Sequence, residues 1–375
     1  MDGHHGHSPN FSGMDFNDSC LGGNCRPCSA GPMWVRADYI LWWRSGLELP
    51  ALVTTAPDGT PLATAGELGQ SSTSTLFGGE HEEYPVRPGG RVEAGMWLDQ
   101  CESFGVGGRF FWLGDAELSY SNSSTGSPIL AIPFTEGATN VPDARVISFP
   151  ATFNGNLDFR AKSEVFGGDI YGRMLWCRTD WGRLDLLGGY QYARINEGLV
   201  LDSTVADVGG ASNQLTDTFR TRNEFHGGMI GVNAHIDRCW CYIDLLAKVG
   251  LGNMEESVDI TGRSVSTVGS TSSVLNNSGL FAQATNIGTH TRSEFVAIPE
   301  IGANVGWHVT DCIDINFGYT MIVYTGVARP GDAIDTTVNT TQIGGTLSGP
   351  ARPAFAFTDS DLVLHGLNMG LTLKW

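Results

Sequence analysis

The sequence has no run of about 18 consecutive apolar residues, so it offers no candidate transmembrane helix. Hydrophobic residues make up 41% of the chain and charged residues only 17%, a composition too polar for a bundle of membrane helices. Basic residues are also scarce, because 22 Lys and Arg stand against 40 Asp and Glu and the net charge is −18. Since phosphate backbones are bound by Lys and Arg, we expect no nucleic-acid partner.

Two further absences concern targeting and catalysis. The chain begins MDGHHGHSPNFSG, without the charged segment and apolar segment of a secretory signal peptide. Either the signal peptide has already been removed or the protein is cytosolic, and the strand pattern described next favours removal. Neither a Ser-His-Asp arrangement nor a glycine-rich cofactor loop occurs in a suitable setting, so we predict no cofactor and no enzyme activity.

Glycine is abundant, at 50 residues, and low charge with many glycines is typical of an all-β protein with many turns. The last segment, LVLHGLNMGLTLKW, alternates strictly. Apolar residues occupy almost every odd position from Val363 to Trp375, and small or polar residues occupy the even positions from Gly366 to Lys374. A period of two with opposite chemistry on the two faces predicts a β-strand.

The same alternation recurs in one N-terminal segment and in four hairpins, which gives ten predicted strands. The connections after odd-numbered strands are long and rich in Ser, Thr, Gly, Asn and Pro, whereas the others are short turns that often contain cysteine. We place the long connections at residues 46–88, 115–165, 196–224, 253–293 and 326–360. An even strand number with loops sorted by length predicts a transmembrane antiparallel up-and-down β-barrel, in preference to a soluble β-sandwich.

Charges of both signs recur on the polar face of the predicted strands, and aromatic residues occur near strand ends on the apolar face. A barrel of this size is roughly filled by its own side chains. Because an unpaired buried ion costs several kcal/mol, we expect these charges to pair and to oppose a wide diffusion pore. The predicted lumen-facing charges are Arg36, Asp38, Glu93, Arg109, Asp169, Arg173, Asp185, Asp244, Lys248, Glu300 and Asp314.

Eight cysteines gather at one predicted end of the barrel, beside the short turns and in an N-terminal arm of residues 1–32. In an oxidising compartment they predict four disulfides. A Cys25–Cys28 redox pair and a zinc cluster are the less favoured alternatives. The HHGH segment, with His4, His5 and His7, is interpreted as part of a flexible arm and not as a metal site. The disulfide candidates are Cys20, Cys25, Cys28, Cys101, Cys177, Cys239, Cys241 and Cys312.

The C-terminus resembles the terminal signal of bacterial outer-membrane barrels, whose defined places are filled here by Asn368, Gly370, Leu373 and Trp375. That resemblance implies insertion by the outer-membrane barrel assembly machinery. The whole chain resembles the putative β-barrel porin family described from planctomycetes. The stretches that carry this likeness include VRADYILWWRSGLELPALVTT, GGRVEAGMWLDQC, GVGGRFFWLG and FRAKSEVFGGDIYGRMLWC. The family likeness implies a porin-like barrel and brings no catalytic or binding residues.

We therefore predict an arm at residues 1–32 and an outer-membrane barrel at residues 33–375, with both termini in the periplasm. Membrane lipid and the assembly machinery are the expected partners, and homo-oligomers are left open. The favoured function is a narrow or plugged channel for small solutes. The alternative is a structural barrel whose loops meet partners or neighbouring copies. A protease resembling the ten-stranded outer-membrane enzymes is the least favoured reading, and its candidate residues are His226, His290, Asp217 and Asp259.

Overall fold

The computed structural model describes residues 32–238, 240–343 and 345–375. The predicted arm lies outside the described residues except for Pro32, and so do Cys20, Cys25, Cys28, Cys239 and the three histidines of HHGH. No helix in the described ranges is both long and apolar enough to cross a membrane.

The described residues form eighteen strands and two short 3-10 turns, at Leu62–Thr64 and Thr340–Gln342. The strands are β1 (Met33–Arg44), β2 (Leu47–Glu48), β3 (Val53–Ala56), β4 (Ser74–Phe77), β5 (His81–Glu82), β6 (Arg87–Trp97), β7 (Phe104–Ser124), β8 (Ile129–Glu136), β9 (Val141–Ser148), β10 (Phe153–Thr179), β11 (Gly182–Asp207), β12 (Ala211–Arg238), β13 (Cys241–Val268), β14 (Thr271–Asn276), β15 (Gly288–His308), β16 (Ile313–Val327), β17 (Thr337–Val338) and β18 (Ser360–Lys374).

Ten of the strands in the described part of the chain close into a ring. The order is β1-β6-β7-β10-β11-β12-β13-β15-β16-β18, and every neighbouring pair is antiparallel. β18 closes the ring against β1, and Met33 and Trp375 exchange two backbone hydrogen bonds of 3.0 Å. The predicted ten-stranded up-and-down barrel is confirmed. We call the end with Met33, Trp375 and the short turns the turn end, and the opposite end the loop end.

Several predicted long connections are in fact continuations of the barrel strands. β11 ends at Asp207 and β12 begins at Ala211, so residues 196–224 form a tight hairpin instead of a loop. Much of 253–293 and of 115–165 is likewise extended strand. The hairpins extend beyond the apolar outer band, and there the pattern is reversed: apolar side chains such as Phe159 point inward and are buried, whereas polar ones such as Arg160 are exposed.

A separate small sheet lies at the loop end. β8 pairs with β3, β9 and β17, and β3 pairs with β4. Its apolar side chains join the inward face of the extended barrel strands in one buried core, which includes Leu52, Leu130, Phe159, Phe219 and Phe281. Residues 146–163 contain the end of β9 and the start of β10. The connections thus pack together at one end of the barrel.

The outer face carries exposed apolar side chains between two rows of aromatic residues. Trp176, Trp181, Trp240, Trp307 and Trp375 lie near the turn end. Tyr319, His365 and Trp43 make ring contacts in the other row. On β18 ten residues separate His365 from Trp375, about 33 Å along a strand and about 25 Å across a tilted one. This height matches the hydrocarbon layer that an outer-membrane barrel crosses.

Candidate functional site: the sealed lumen

Four charged side chains meet at the centre of the barrel. Arg109 on β7 binds Glu300 on β15 through two hydrogen bonds, of 2.5 and 2.8 Å, and also donates to Asp169 on β10 at 2.8 Å. Lys248 on β13 lies 2.5 Å from Asp169 and 3.2 Å from Glu300. These four side chains are between 1% and 8% exposed. Two cations and two anions cancel here, as low-dielectric burial requires.

A second group of ion pairs lines the wall formed by β1 and β6. Asp38 accepts from Arg36 at 2.9 Å and from Arg91 at 2.8 Å. Arg36 also reaches the side-chain oxygens of Asn304 and Asn316, at 2.9 and 2.7 Å. Arg36 lies on β1, whereas Asn304 and Asn316 lie on β15 and β16, which are not adjacent to β1 in the ring. The guanidinium therefore connects strands that the backbone does not pair.

Ion pairs continue toward the turn end. Asp185 binds both Arg173 and Arg183 within 2.7 Å, and Tyr171 donates its hydroxyl proton to Glu93. Asp244 accepts a hydrogen bond from His235 at 2.6 Å, and Asp314 accepts one from His308 at 2.8 Å. The structure thus pairs the predicted lumen charges with one another and with further charged partners outside that set of eleven. The partners are Arg91, Arg183, His235, His308 and Lys374.

An apolar layer lies directly above the charged layer. Nearly every barrel strand contributes an inward side chain to it, and all are at most 7% exposed. Trp42 is 1% exposed and donates its indole N–H to Asn368 at 2.9 Å, while its ring packs 5.2 Å from Phe111. The layer includes Ile40, Val165, Ile195, Phe225, Met254, Ile298, Ile322, Tyr324 and Leu364.

A second charged layer separates this apolar layer from the core of the loop end. Glu197 lies 2.5 Å from Arg44 and 3.4 Å from Arg329. Arg87 donates to the carbonyl oxygen of Ser163 at 2.5 Å. The sequence prediction missed this layer. Arg44 stood on a recognised polar face, but Glu197 and Arg329 lie in stretches interpreted as loops, and more than 130 residues separate them.

One buried carboxylate anchors the loop-end core. Asp217 on β12 accepts backbone N–H groups of Leu280, Phe281 and Ala282 at 2.8–3.1 Å. It lies inside the barrel on the part of β12 beyond the outer aromatic rows. Burial raises the pKa of Asp217 to about 6, against the opposing effect of the three N–H donors. The group therefore titrates near neutral pH.

The cysteine prediction needs correction. Cys101 and Cys177 are disulfide-bonded, but Cys241 and Cys312 are free thiols. Eight cysteines with two free leave at most three disulfides, so the prediction of four is wrong. Cys241 and Cys312 do not bond to each other. Cys241 is the first residue of β13, whereas Cys312 immediately precedes β16, where its carbonyl oxygen accepts the backbone N–H of Lys374 on β18. Two strand spacings, about 9 Å, exceed the reach of a disulfide.

The four residues of the terminal signal occupy distinct places on β18. Asn368 is fully buried in the lumen and donates to Thr320 at 2.8 Å. Gly370 faces Asp38, and a Cβ at this position would collide with the Asp38 carboxylate. Leu373 and Trp375 point outward and are 41% and 51% exposed. The small residue is therefore required by the lumen, and the terminal ring lies in the outer aromatic row.

The protease candidates do not form one cluster. Asp217 is buried among the backbone groups already described, and Asp259 accepts from Thr289 at 3.0 Å. His226 points outward and lies 2.6 Å from the Tyr190 hydroxyl. His290 stacks on Phe355 and has its Nε2 3.0 Å from the Asn286 carbonyl oxygen. These four side chains have separate partners, and no hydrogen bond or ring contact among the described residues joins one of them to another.

These features define a closed, ten-stranded membrane barrel with a filled lumen. The model of the family described as putative beta barrel porin-7 matches residues 34–375, and the chain belongs to that family of outer-membrane barrels. A search of curated proteins found no significant match.

Solved structures of low similarity complete the comparison. The outer membrane protease OmpT from Escherichia coli is 10% identical, with a TM-score of 0.42, and the alignment covers 94% of this chain and 100% of that one. A Pseudomonas aeruginosa FadL homologue is 8% identical, with a TM-score of 0.24 and coverage of 92% and 90%. At these scores we infer no function from either.

Proposed function

We propose that the protein is an outer-membrane barrel without a permanently open pore, which acts through its loop-end surface by meeting partners or neighbouring copies. The observation that carries this proposal is the bidentate pair of Arg109 and Glu300, whose strands stand five places apart in a ring of ten. An ion pair between opposite walls leaves no straight path for a solute. The apolar layer, the second charged layer and the loop-end core add three further barriers.

The same proposal places the turn end in the periplasm and the loop end outside the cell. Short periplasmic turns and longer outer connections are the usual arrangement in such barrels. Membrane lipid would cover the apolar band, and the barrel assembly machinery would insert the chain by its terminal strand. For the lumen to conduct a solute, the side chains of the two charged layers and of the apolar layer between them would have to move together.

Single-channel recording of the full, oxidised chain in a planar bilayer tests the proposal. Insertion is verified separately in lipid vesicles that contain the same protein, in which the membrane-spanning strands should be protected from an added protease. We expect no discrete conductance steps before or after reduction of the disulfides. Steps in the oxidised protein would overturn the proposal. Steps that appear only after reduction would also overturn it, in favour of a channel closed by a disulfide-held plug.

A further inference from the structure

The second charged layer of the lumen holds more positive than negative charge, unlike the balanced cluster at the barrel centre. Its guanidinium groups belong to Arg44, Arg87 and Arg329, and Glu197 is the carboxylate that pairs with them. All four side chains are at most 5% exposed. A guanidinium does not lose its proton in a protein, so titration cannot remove the excess of two positive charges. Unbalanced charge at this depth is costly unless an opposing charge is present.

The three guanidinium groups follow one another along a line of contacts. Ser163 Oγ accepts from Arg44 Nη1 at 2.5 Å and from Arg87 Nη1 at 3.4 Å. Glu197 lies between Arg44, at 2.5 Å, and Arg329, at 3.4 Å. The remaining bonds of Arg87 go to backbone carbonyl oxygens, so no carboxylate of the described residues pairs with it. One carboxylate therefore serves three cations.

Two buried donors of this layer have no acceptor among the described residues. They are the hydroxyl of Tyr84 and Nη2 of Arg329. The Cζ atom of Arg44 lies 4.3 Å from the centroid of the Tyr84 ring. Burial raises the pKa of Tyr84 to about 12, and Glu197 adds to this shift while the three arginines oppose it. The phenol is thus close to all four charges and keeps its proton, so it presents an O–H donor.

Two further carboxylates act on the layer from a greater distance. Asp115 is exposed, and Asp332 is half-buried and accepts the hydroxyl of Ser360 at 2.5 Å. In the described part of the chain neither forms an ion pair with Arg87 or Arg329. Burial also raises the pKa of Asp332, which disfavours its charged form. These carboxylates offset the excess charge only in part.

We propose that the second charged layer binds one small inorganic anion of the size of chloride, at the Tyr84 hydroxyl and Nη2 of Arg329. The two donors supply directed hydrogen bonds, and the excess positive charge supplies the attraction. One bound anion reduces the excess from two charges to one. The layer lies between the apolar layer and the loop-end core, and this dense packing favours a halide over a larger oxyanion. The inference does not depend on whether the lumen conducts.

Urea unfolding of the full chain in liposomes tests the proposal, with sodium chloride exchanged for sodium gluconate at constant ionic strength. An anion that binds the folded barrel and not the unfolded chain shifts the equilibrium toward the folded state. For one anion, the unfolding equilibrium constant should fall about tenfold for each tenfold rise in chloride above the dissociation constant. Crystals grown in sodium bromide should show an anomalous peak in contact with Tyr84 and Arg329.

Three variants separate anion binding from general electrostatics. Tyr84→Phe keeps the ring beside Arg44 but removes the donor, and should weaken chloride affinity about tenfold. Glu197→Gln enlarges the excess of positive charge and should strengthen chloride affinity, whereas a purely structural role predicts lower stability without that gain. Tyr324→Phe is the matched control, because its hydroxyl is also buried without an acceptor in the described ranges but lies in the apolar layer. It should leave the chloride dependence unchanged.

Several results would overturn the proposal. One is identical unfolding of the parent in the two salts, and another is an equal change of chloride dependence in Tyr84→Phe and Tyr324→Phe. A bromide peak away from Tyr84 and Arg329, or none, would also count against it. So would a Glu197→Gln variant that loses its chloride dependence while retaining the heat-resistant mobility of a folded barrel. A larger effect of phosphate than of chloride would overturn the assignment of a halide.

Discussion

Arg109 and Glu300 are 191 residues apart in the chain and form a two-pronged ion pair across the barrel. Their strands, β7 and β15, lie on opposite sides of the ring. The pair shares its surroundings with Lys248 and Asp169, so the loss of any single one of the four charges leaves the cluster with a net charge. The energetic consequence is that no one member can be neutralised without leaving an unpaired charge.

The first prediction concerns that balance. Glu300→Gln leaves two cations facing Asp169 alone, and breaking a buried pair costs about 3–5 kcal/mol. Removing Arg109 together with Glu300, as Arg109→Met with Glu300→Gln, leaves the pair of Lys248 and Asp169 intact. We expect the double variant to recover most of the lost stability, measured by urea unfolding in liposomes. Equal losses in the single and double variants would show that the ions are not coupled.

Much of the barrel could be predicted from the sequence, since alternation within a membrane-spanning strand is a local signal. The C-terminal strand is the clearest case, with Leu373 and Trp375 outward and Asn368 inward. The eleven lumen charges follow from the same alternation. Their pairing does not, because Arg109 and Glu300 meet only through the ring closure and shear of the whole sheet.

The loop end was least predictable. Leu199 and Leu201 alternate with Val200 and Asp202, yet the surrounding Ser, Thr and Gly residues led to the interpretation of a loop. The inward positions there pack on a small sheet of five strands that come from distant parts of the chain. The ion pairs of His235 and His308 with Asp237 were missed for a related reason: the two histidines are 73 positions apart, and only the register of β12, β13 and β15 brings them together.

The terminal residue supplies a second prediction. Trp375 pairs with Met33 through the backbone, and its ring is 51% exposed in the aromatic row at the turn end. Trp375→Ser should lower the yield of inserted protein, because an interfacial anchor is lost while the backbone pairing remains available. Trp375→Phe keeps an aromatic terminus and should insert normally. The amount of heat-modifiable protein in outer-membrane fractions measures both, and normal yield of the serine variant would contradict the expectation.

A third prediction follows from the free and bonded cysteines. Without reduction, a maleimide reagent applied to the denatured chain should label Cys241 and Cys312 and leave Cys101 and Cys177 unlabelled. Peptide mass spectrometry locates the labels. A variant with Cys241→Ser and Cys312→Ser should unfold at the same denaturant concentration as the parent, since neither thiol forms a crosslink. Protection of either thiol before reduction would refute the assignment.

The last prediction concerns pH. The pKa of Asp217 is raised by burial from 3.8 to about 6, so the folded state holds its proton more tightly than the unfolded state. The contribution of Asp217 to the free energy of unfolding is therefore greatest below pH 4, falls as the pH rises toward 6, and is lower by about 3 kcal/mol above that pH. Asp217→Asn keeps an acceptor at Oδ1 for Phe281 and Ala282 without the charge. Urea unfolding between pH 4.5 and pH 7 should show the parent losing stability relative to Asp217→Asn. A constant difference between the two proteins across this range would mean that Asp217 does not titrate there, and that its three backbone donors hold the carboxylate ionised despite its burial.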